Sequence, residues 1–128
     1  MNFMIYPPNN LWGKNKIGKN TKIGAYVDLG NAVIGKNCKI QCHCSIPPKT
    51  KIGDNVFLGP GVKIANDPKL DGKLKGTIIK KGAKIGMGAL IQGGITIGEN
   101  AIIGMGSVVL HDVLAGEVWA GNPAKKIR

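Results

Sequence analysis

Aliphatic side chains recur in this chain with a period of six. They stand at Ile17, Ile23 and Leu29, then at Ile34, Ile40, Ile46, Ile52, Leu58 and Ile64, and again at Ile79, Ile85, Ile91, Ile97, Ile103 and Val109. The count slips by one residue between Leu29 and Ile34, and it is interrupted between Ile64 and Ile79. A period of six suits neither a helix nor a simply alternating strand. It suits a short strand followed by a corner, over and over. A fixed short repeat of this persistence marks a solenoid, and six-residue repeats mark a parallel β-helix.

The other positions of the hexad agree. Glycine follows the aliphatic at Gly18, Gly24, Gly30, Gly35, Gly53, Gly59, Gly86, Gly98 and Gly104. Small or β-branched residues stand four after it: Thr21, Val27, Cys38, Cys44, Thr50, Val56, Val62, Ala83, Ala89, Ala101 and Ser107. The aliphatic and the small residue are expected to point inward. Between them, three after the aliphatic, come Asn20, Asn37, Asn55, Gly61, Gly82, Gly88, Gly94, Asn100 and Gly106. These residues tolerate positive φ, so this slot is the predicted corner. Three sides then close one coil, and like residues stack from coil to coil.

The 128 residues are read as one domain, 1–128, narrow enough to be filled by Ile, Val and Ala with only 5% aromatics. The segment 1–16 carries a weaker beat at Ile5 and Leu11 and is expected to cap one end. The stretch NDPKLDGKLKGT is polar and holds Pro68, Gly72 and Gly76, so an excursion loop is expected over 66–78. Insertions in solenoids often build the binding face. In the tail, 114–128, Asn122 reads as a helix cap and Pro123 as a first helical residue, which predicts a short helical turn.

With 18 Lys and Arg against 7 Asp and Glu, the formal net charge is +11. Outward lysines such as Lys19, Lys22, Lys36, Lys39 and Lys63 solvate the rod, or they attract polyanionic small molecules. No nucleic-acid module accompanies the charge, so nucleic acid is not an expected partner. No apolar run is long enough to cross a membrane and no secretory leader is read, which gives a cytoplasmic expectation. Cys38 and Cys44 fall in the inward slot. A zinc site from Cys38, Cys42, His43 and Cys44 is therefore disfavoured, because its ligands would not converge, and no metal is expected.

Three segments carry more than the repeat: VFLGPGVKIAND (56–67), TIIKKGAKIGMGALI (77–91) and IGMGSVVLHDVLAGEVWAGNPAKKI (103–127). With the hexads, they make the chain resemble the hexapeptide-repeat acyltransferases, and within them the subgroup that N-acetylates nucleotide-linked amino sugars. The Asn66–Asp67 pair, the Lys80–Lys81–Gly82 re-entry and the Gly121–Asn122–Pro123–Ala124 ending match that subgroup. Gly61 stands where the subgroup has asparagine, Ala65 replaces a threonine, a Trp-His pair near Gln41 and Cys42 is absent, and His111 stands where lysine is frequent. These departures leave the sugar open. The resemblance implies an all-β, single-stranded left-handed parallel β-helix. It also implies a homotrimer with sites shared between subunits, and acetyl-CoA as co-substrate.

Acyl transfer from a thioester to an amine needs a close neutral amine, donors for the oxyanion and a route for a proton. The resemblance implies that Asn66 orients the amino sugar and that Asp67 hydrogen-bonds the amine or accepts its proton; as a plain turn residue, Asp67 would do neither. His43, the third catalytic candidate, lies in the corner slot and reads as a turn residue or as a base. Gly86, Gly88, Gly104 and Gly106 would leave bare backbone for the pantetheine arm and N–H donors for the oxyanion. Lys125, Lys126 and Arg128 would meet the coenzyme's phosphates or simply solvate the tail, with His111 projecting near them. The expected function is an acetyl-CoA-dependent N-acetyltransferase for a nucleotide-linked amino sugar. Its alternatives are O-acetylation of a sugar or small acceptor and a non-catalytic structural β-helix. A γ-type carbonic anhydrase is set aside, because its zinc needs three histidines and this chain has two.

Overall fold

Each hexad folds as a two-residue strand followed by a four-residue corner. The computed structural model describes residues 2–128. The strands stack into three parallel sheets that form the faces of a triangular rod. The first face holds Met4–Ile5, Lys22–Ile23, Lys39–Ile40, Phe57–Leu58, Lys84–Ile85 and Ile102–Ile103. The second holds Asn10–Trp12, Asp28–Gly30, Ser45–Ile46, Lys63–Ile64, Leu90–Ile91 and Val108–Val109. The third holds Lys16–Ile17, Val33–Ile34, Lys51–Ile52, Ile78–Ile79 and Thr96–Ile97. This is the expected left-handed parallel β-helix, and the chain passes from first to second to third face in every coil.

The register stacks like on like. Ile23 pairs with Ile40, Ile40 with Leu58, Ile34 with Ile52, and Ile85 with Ile103. The repeating aliphatics from Ile23 onward are buried, as are all eleven of the predicted small inward residues. Fully burying one such aliphatic side chain contributes about 1.5–3 kcal/mol, so the core is a column of small equal increments. Polar inward residues are satisfied locally: Thr21 Oγ1 donates to Gly35 O at 2.7 Å and Ser107 Oγ to Gly104 O at 2.7 Å. The nine predicted corner residues all have positive φ, between 57° and 78°. The one-residue slip is absorbed at Asn31, where a shortened corner also turns through positive φ (48°).

Residues 2–16 wind as the terminal coil, pairing Ile5 with Ile23 and Leu11 with Leu29. Two stretches differ from the sequence reading. The tail is not helical. Val118–Gly121 joins the first face beside Ile102–Ile103, then turns back as Ala124–Lys126 in an antiparallel pair. Asn122 and Pro123 form the turn of this hairpin, and their peptide bond is cis. The helical reading fails because Trp119 continues the inward column above Ile103, which holds the backbone extended up to the turn. The loop re-enters at Ile78, already in strand, so the excursion ends at Thr77.

Candidate functional site

Corners of one kind fall on one edge of the rod, and this sorts the candidate residues. The edge between first and second faces (the first edge) carries, in successive coils, Tyr26, His43, Gly61, Gly88 and Gly106 at its positive-φ position. Successive coils lie about 4.8 Å apart. His43 therefore sits one coil from Gly61 and three from Gly106, in a single row. The imidazole is exposed and stacks on the Tyr26 ring, with centroids 5.1 Å apart and planes 11° from parallel. Its own backbone N–H is spent on Ala25 O at 3.1 Å, so His43 is both a turn residue and an accessible ring.

Below His43 the same edge is bare. A Cβ built on Gly61, Gly88 or Gly106 would meet no atom within 4 Å. These three glycines satisfy the corner's φ and leave open space outside it over three coils, flanked by the exposed Met87 and Met105. Gly86 and Gly104 face the neighbouring coil: a Cβ on Gly86 would lie 2.5 Å from Met105 N, and one on Gly104 2.9 Å from the Ala120 side chain. The expectation that glycine N–H groups would be oxyanion donors meets a different arrangement. Gly86, Gly88, Gly104 and Gly106 donate to Ile103, Pro60, Trp119 and Met87 carbonyls at 2.8–2.9 Å. These glycines supply room, and their N–H groups hold the coils together.

The edge between second and third faces (the second edge) carries Asn66, Asp67, the loop and, two coils on, His111. Asn66 Nδ2 donates to Pro48 O at 3.0 Å. The Asp67 carboxylate accepts from Asp71 N at 3.0 Å and Gly72 N at 2.9 Å, so it organises the loop's turn. His111 is exposed, beside Asp112, whose Oδ1 accepts from Thr96 N at 2.8 Å. The second face separates His43 and the glycine row from Asn66, Asp67 and His111. One subunit does not bring the two sets together.

The hairpin closes the C-terminal end of the first face. Lys126 pairs with Glu117 at 3.0 Å, and Glu117 also accepts from Leu114 N and Trp119 Nε1. The Lys126 hydrogen bond, then those from Leu114 and Trp119, hold the Glu117 carboxyl below its ordinary range. Lys125 and Arg128 are exposed. Cys38 and Cys44 lie inside the rod, where burial pushes both thiols up, Cys44 to about 11. Cys42 and His43 lie outside it, so these four residues do not converge on an ion. No cluster of three potential metal ligands occurs among the described residues.

Sequence reasoning missed Tyr26 as a neighbour of His43. Its signal was the shared corner slot one coil earlier. It also passed over the lysines of the loop, which the broken period concealed.

Models of the bacterial transferase hexapeptide match residues 16–47, 31–66 and 76–111, and a hexapeptide repeat of succinyl-transferase matches 49–92. The chain is 38% identical over 113 residues to the bifunctional protein GlmU of Thermosipho africanus, spanning 88% of this chain and 24% of that one. It superimposes on WeeI from Acinetobacter baumannii with a TM-score of 0.80 at 30% identity, covering 98% of this chain and 55% of WeeI. A maltose O-acetyltransferase from Clostridium difficile aligns with a TM-score of 0.56 at 29% identity, over 94% of this chain and 66% of that one. The chain thus spans about a quarter of its GlmU relatives and about half of WeeI. With its hexads, its rod and matches over more than half its length, this protein belongs to the bacterial transferase hexapeptide family.

Proposed function

We propose that the protein is an acetyl-CoA-dependent N-acetyltransferase acting on the amino group of a nucleotide-linked amino sugar. The observation that carries the reading is the first edge: an accessible imidazole in line with three coils of bare backbone. An extended pantetheine arm can lie along Gly61, Gly88 and Gly106 and present its thioester towards His43. The amine nitrogen attacks the thioester carbonyl, the N–C bond forms, the C–S bond breaks and the thiolate leaves. The amine proton passes to His43 or directly to that thiolate. In this reading Lys125 meets the coenzyme's phosphates; Lys126 does so only if it leaves Glu117. His111, on the second edge, reaches the coenzyme only from another subunit.

Asn66 and the loop support the amino-sugar acceptor through their match to the subgroup pattern. They lie on the other edge, so we infer a homotrimer in which the first edge of one subunit faces the second edge of the next. The first test is thiol release from acetyl-CoA against a panel of nucleotide-linked amino sugars, with product mass. Turnover with one such sugar and a gain of one acetyl group is expected. A silent panel from an intact assembly rejects the acceptor assignment.

A second reading, O-acetylation, is favoured by the similarity to a maltose O-acetyltransferase. A hydroxyl needs a base more than an amine does. His43→Ala and His111→Ala together would then abolish turnover, and the product would be an ester labile to hydroxylamine.

A further inference from the structure

The excursion loop is a built element with its own electrostatics. Its base is clamped: Lys75 N donates to Asn66 O at 2.8 Å and Thr77 Oγ1 to Gln92 O at 2.9 Å. Its two acids are turned to its own backbone. Asp67 takes the Asp71 and Gly72 N–H groups, and Asp71 Oδ1 takes Lys73 N at 2.9 Å. The ammonium groups of Lys69, Lys73 and Lys75 pair with no carboxylate among the described residues. These lysines wall a hollow of about 560 Å³ whose floor is Gly93 and Gly94 of the next coil, with Asp71 as its one acid. Gly94 has φ of +78°, and a Cβ there would lie 2.8 Å from Lys75 Cδ, so the bare corner lets the Lys75 stem lie flat over it.

We propose that this hollow binds a linked pair of phosphates. Three cations against one acid favour a ligand that spreads several negative charges over a few ångström. A carboxylate or a single sulfate would meet only part of that field. The volume is that of a small-molecule site, within the usual range of about 300–1,000 Å³. The site deepens the acyl-transfer reading, on which the identity of its two candidate ligands rests. The diphosphate of a nucleotide-linked acceptor and the phosphates of the coenzyme share this chemistry.

The test is calorimetric titration of the full chain with inorganic pyrophosphate, with UDP and with coenzyme A, at low and at raised salt. It is repeated on Lys69→Gln/Lys73→Gln, and on Lys36→Gln, at the corner between the third and first faces, as control. All three lysines are exposed and their ammonium groups hold no other element, so folding is expected to survive, as checked by circular dichroism. Saturable, salt-sensitive binding that weakens about tenfold or more in the double variant, and not in the control, supports the site. Loss confined to UDP and pyrophosphate identifies the acceptor's diphosphate, and loss confined to coenzyme A identifies the donor. Absence of saturable binding, or binding indifferent to the loop lysines, overturns the proposal. Lysine-dependent binding with a silent thiol-release panel would keep the phosphate site and reject the acyl-transfer reading instead.

Discussion

Asn37 shows how much one corner position demands. Its φ is +58° and its N–H donates to Lys19 O at 2.9 Å, while its side chain is exposed. A β-branched residue there would keep the exposure and lose the conformation. Asn37→Val is expected to destabilise the protein by about 1–2 kcal/mol, and Asn37→Gly to cost far less, by urea titration. Equal losses would mean that the asparagine side chain, and not its φ, is what matters. Buried thiols make a second prediction. Cys38 and Cys44 should stay silent to an aromatic disulfide reagent in the native protein, while the half-exposed Cys42 reacts. Burial raises Cys44 from an ordinary 9.0 to about 11, so the folded state prefers the neutral thiol. Its contribution is whole below pH 9.0 and is lost as the pH rises through about 11. Between those limits the wild type should lose more stability than Cys44→Ala does, although the variant starts lower.

The elements divide into those the residue pattern specifies and those it does not. Strand and corner were legible because each hexad repeats the same steric demand, and a tetrad such as Ile52–Gly53–Asp54–Asn55 states its corner without outside help. The hairpin was not legible. Asn122–Pro123 has the local chemistry of a helix start, and only the column of Ile85, Ile103 and Trp119 tells the chain to stay extended. Nor could the pattern show that Asp67 spends both oxygens on the loop, since its partners Asp71 and Gly72 lie outside the period. Glu117 ties the hairpin to the last corner, and its carboxyl is held low by Lys126, Leu114 and Trp119. A lowered value means that the tie is present above the ordinary carboxylate range of about 4.5 and is lost as the pH falls through the lowered one. In a Trp12→Phe background, Trp119 emission should therefore change below pH 4.5, and Glu117→Gln should remove that transition. An unaltered acid profile in the variant would assign the transition to another group.

A rod built of equal coils has no interior cleft, so a two-substrate reaction has to use its edges. The resemblance implied sites shared between subunits, but spacing along the chain carries no information about which edge a corner joins, so it could not divide His43, the glycines, Asn66 and His111 between edges. The register does. His43 shares a row with Gly61, Gly88 and Gly106, whereas Asn66 and His111 stand across the second face. If the proposed site is completed between subunits, a cyclic trimer offers three pairings of first edge with second edge. Light scattering should then give three times the subunit mass. The sharper consequence concerns mixtures. Let His43→Ala and Asn66→Ala each prove inactive and folded, and let them be unfolded, mixed in equal parts and reassembled. An interface is whole only where the Asn66 variant supplies the first edge and the His43 variant supplies the second. Random assembly makes that combination at about one interface in four, so about a quarter of wild-type turnover should return. A site contained within one subunit would return none, because every subunit in the mixture lacks one of the two residues.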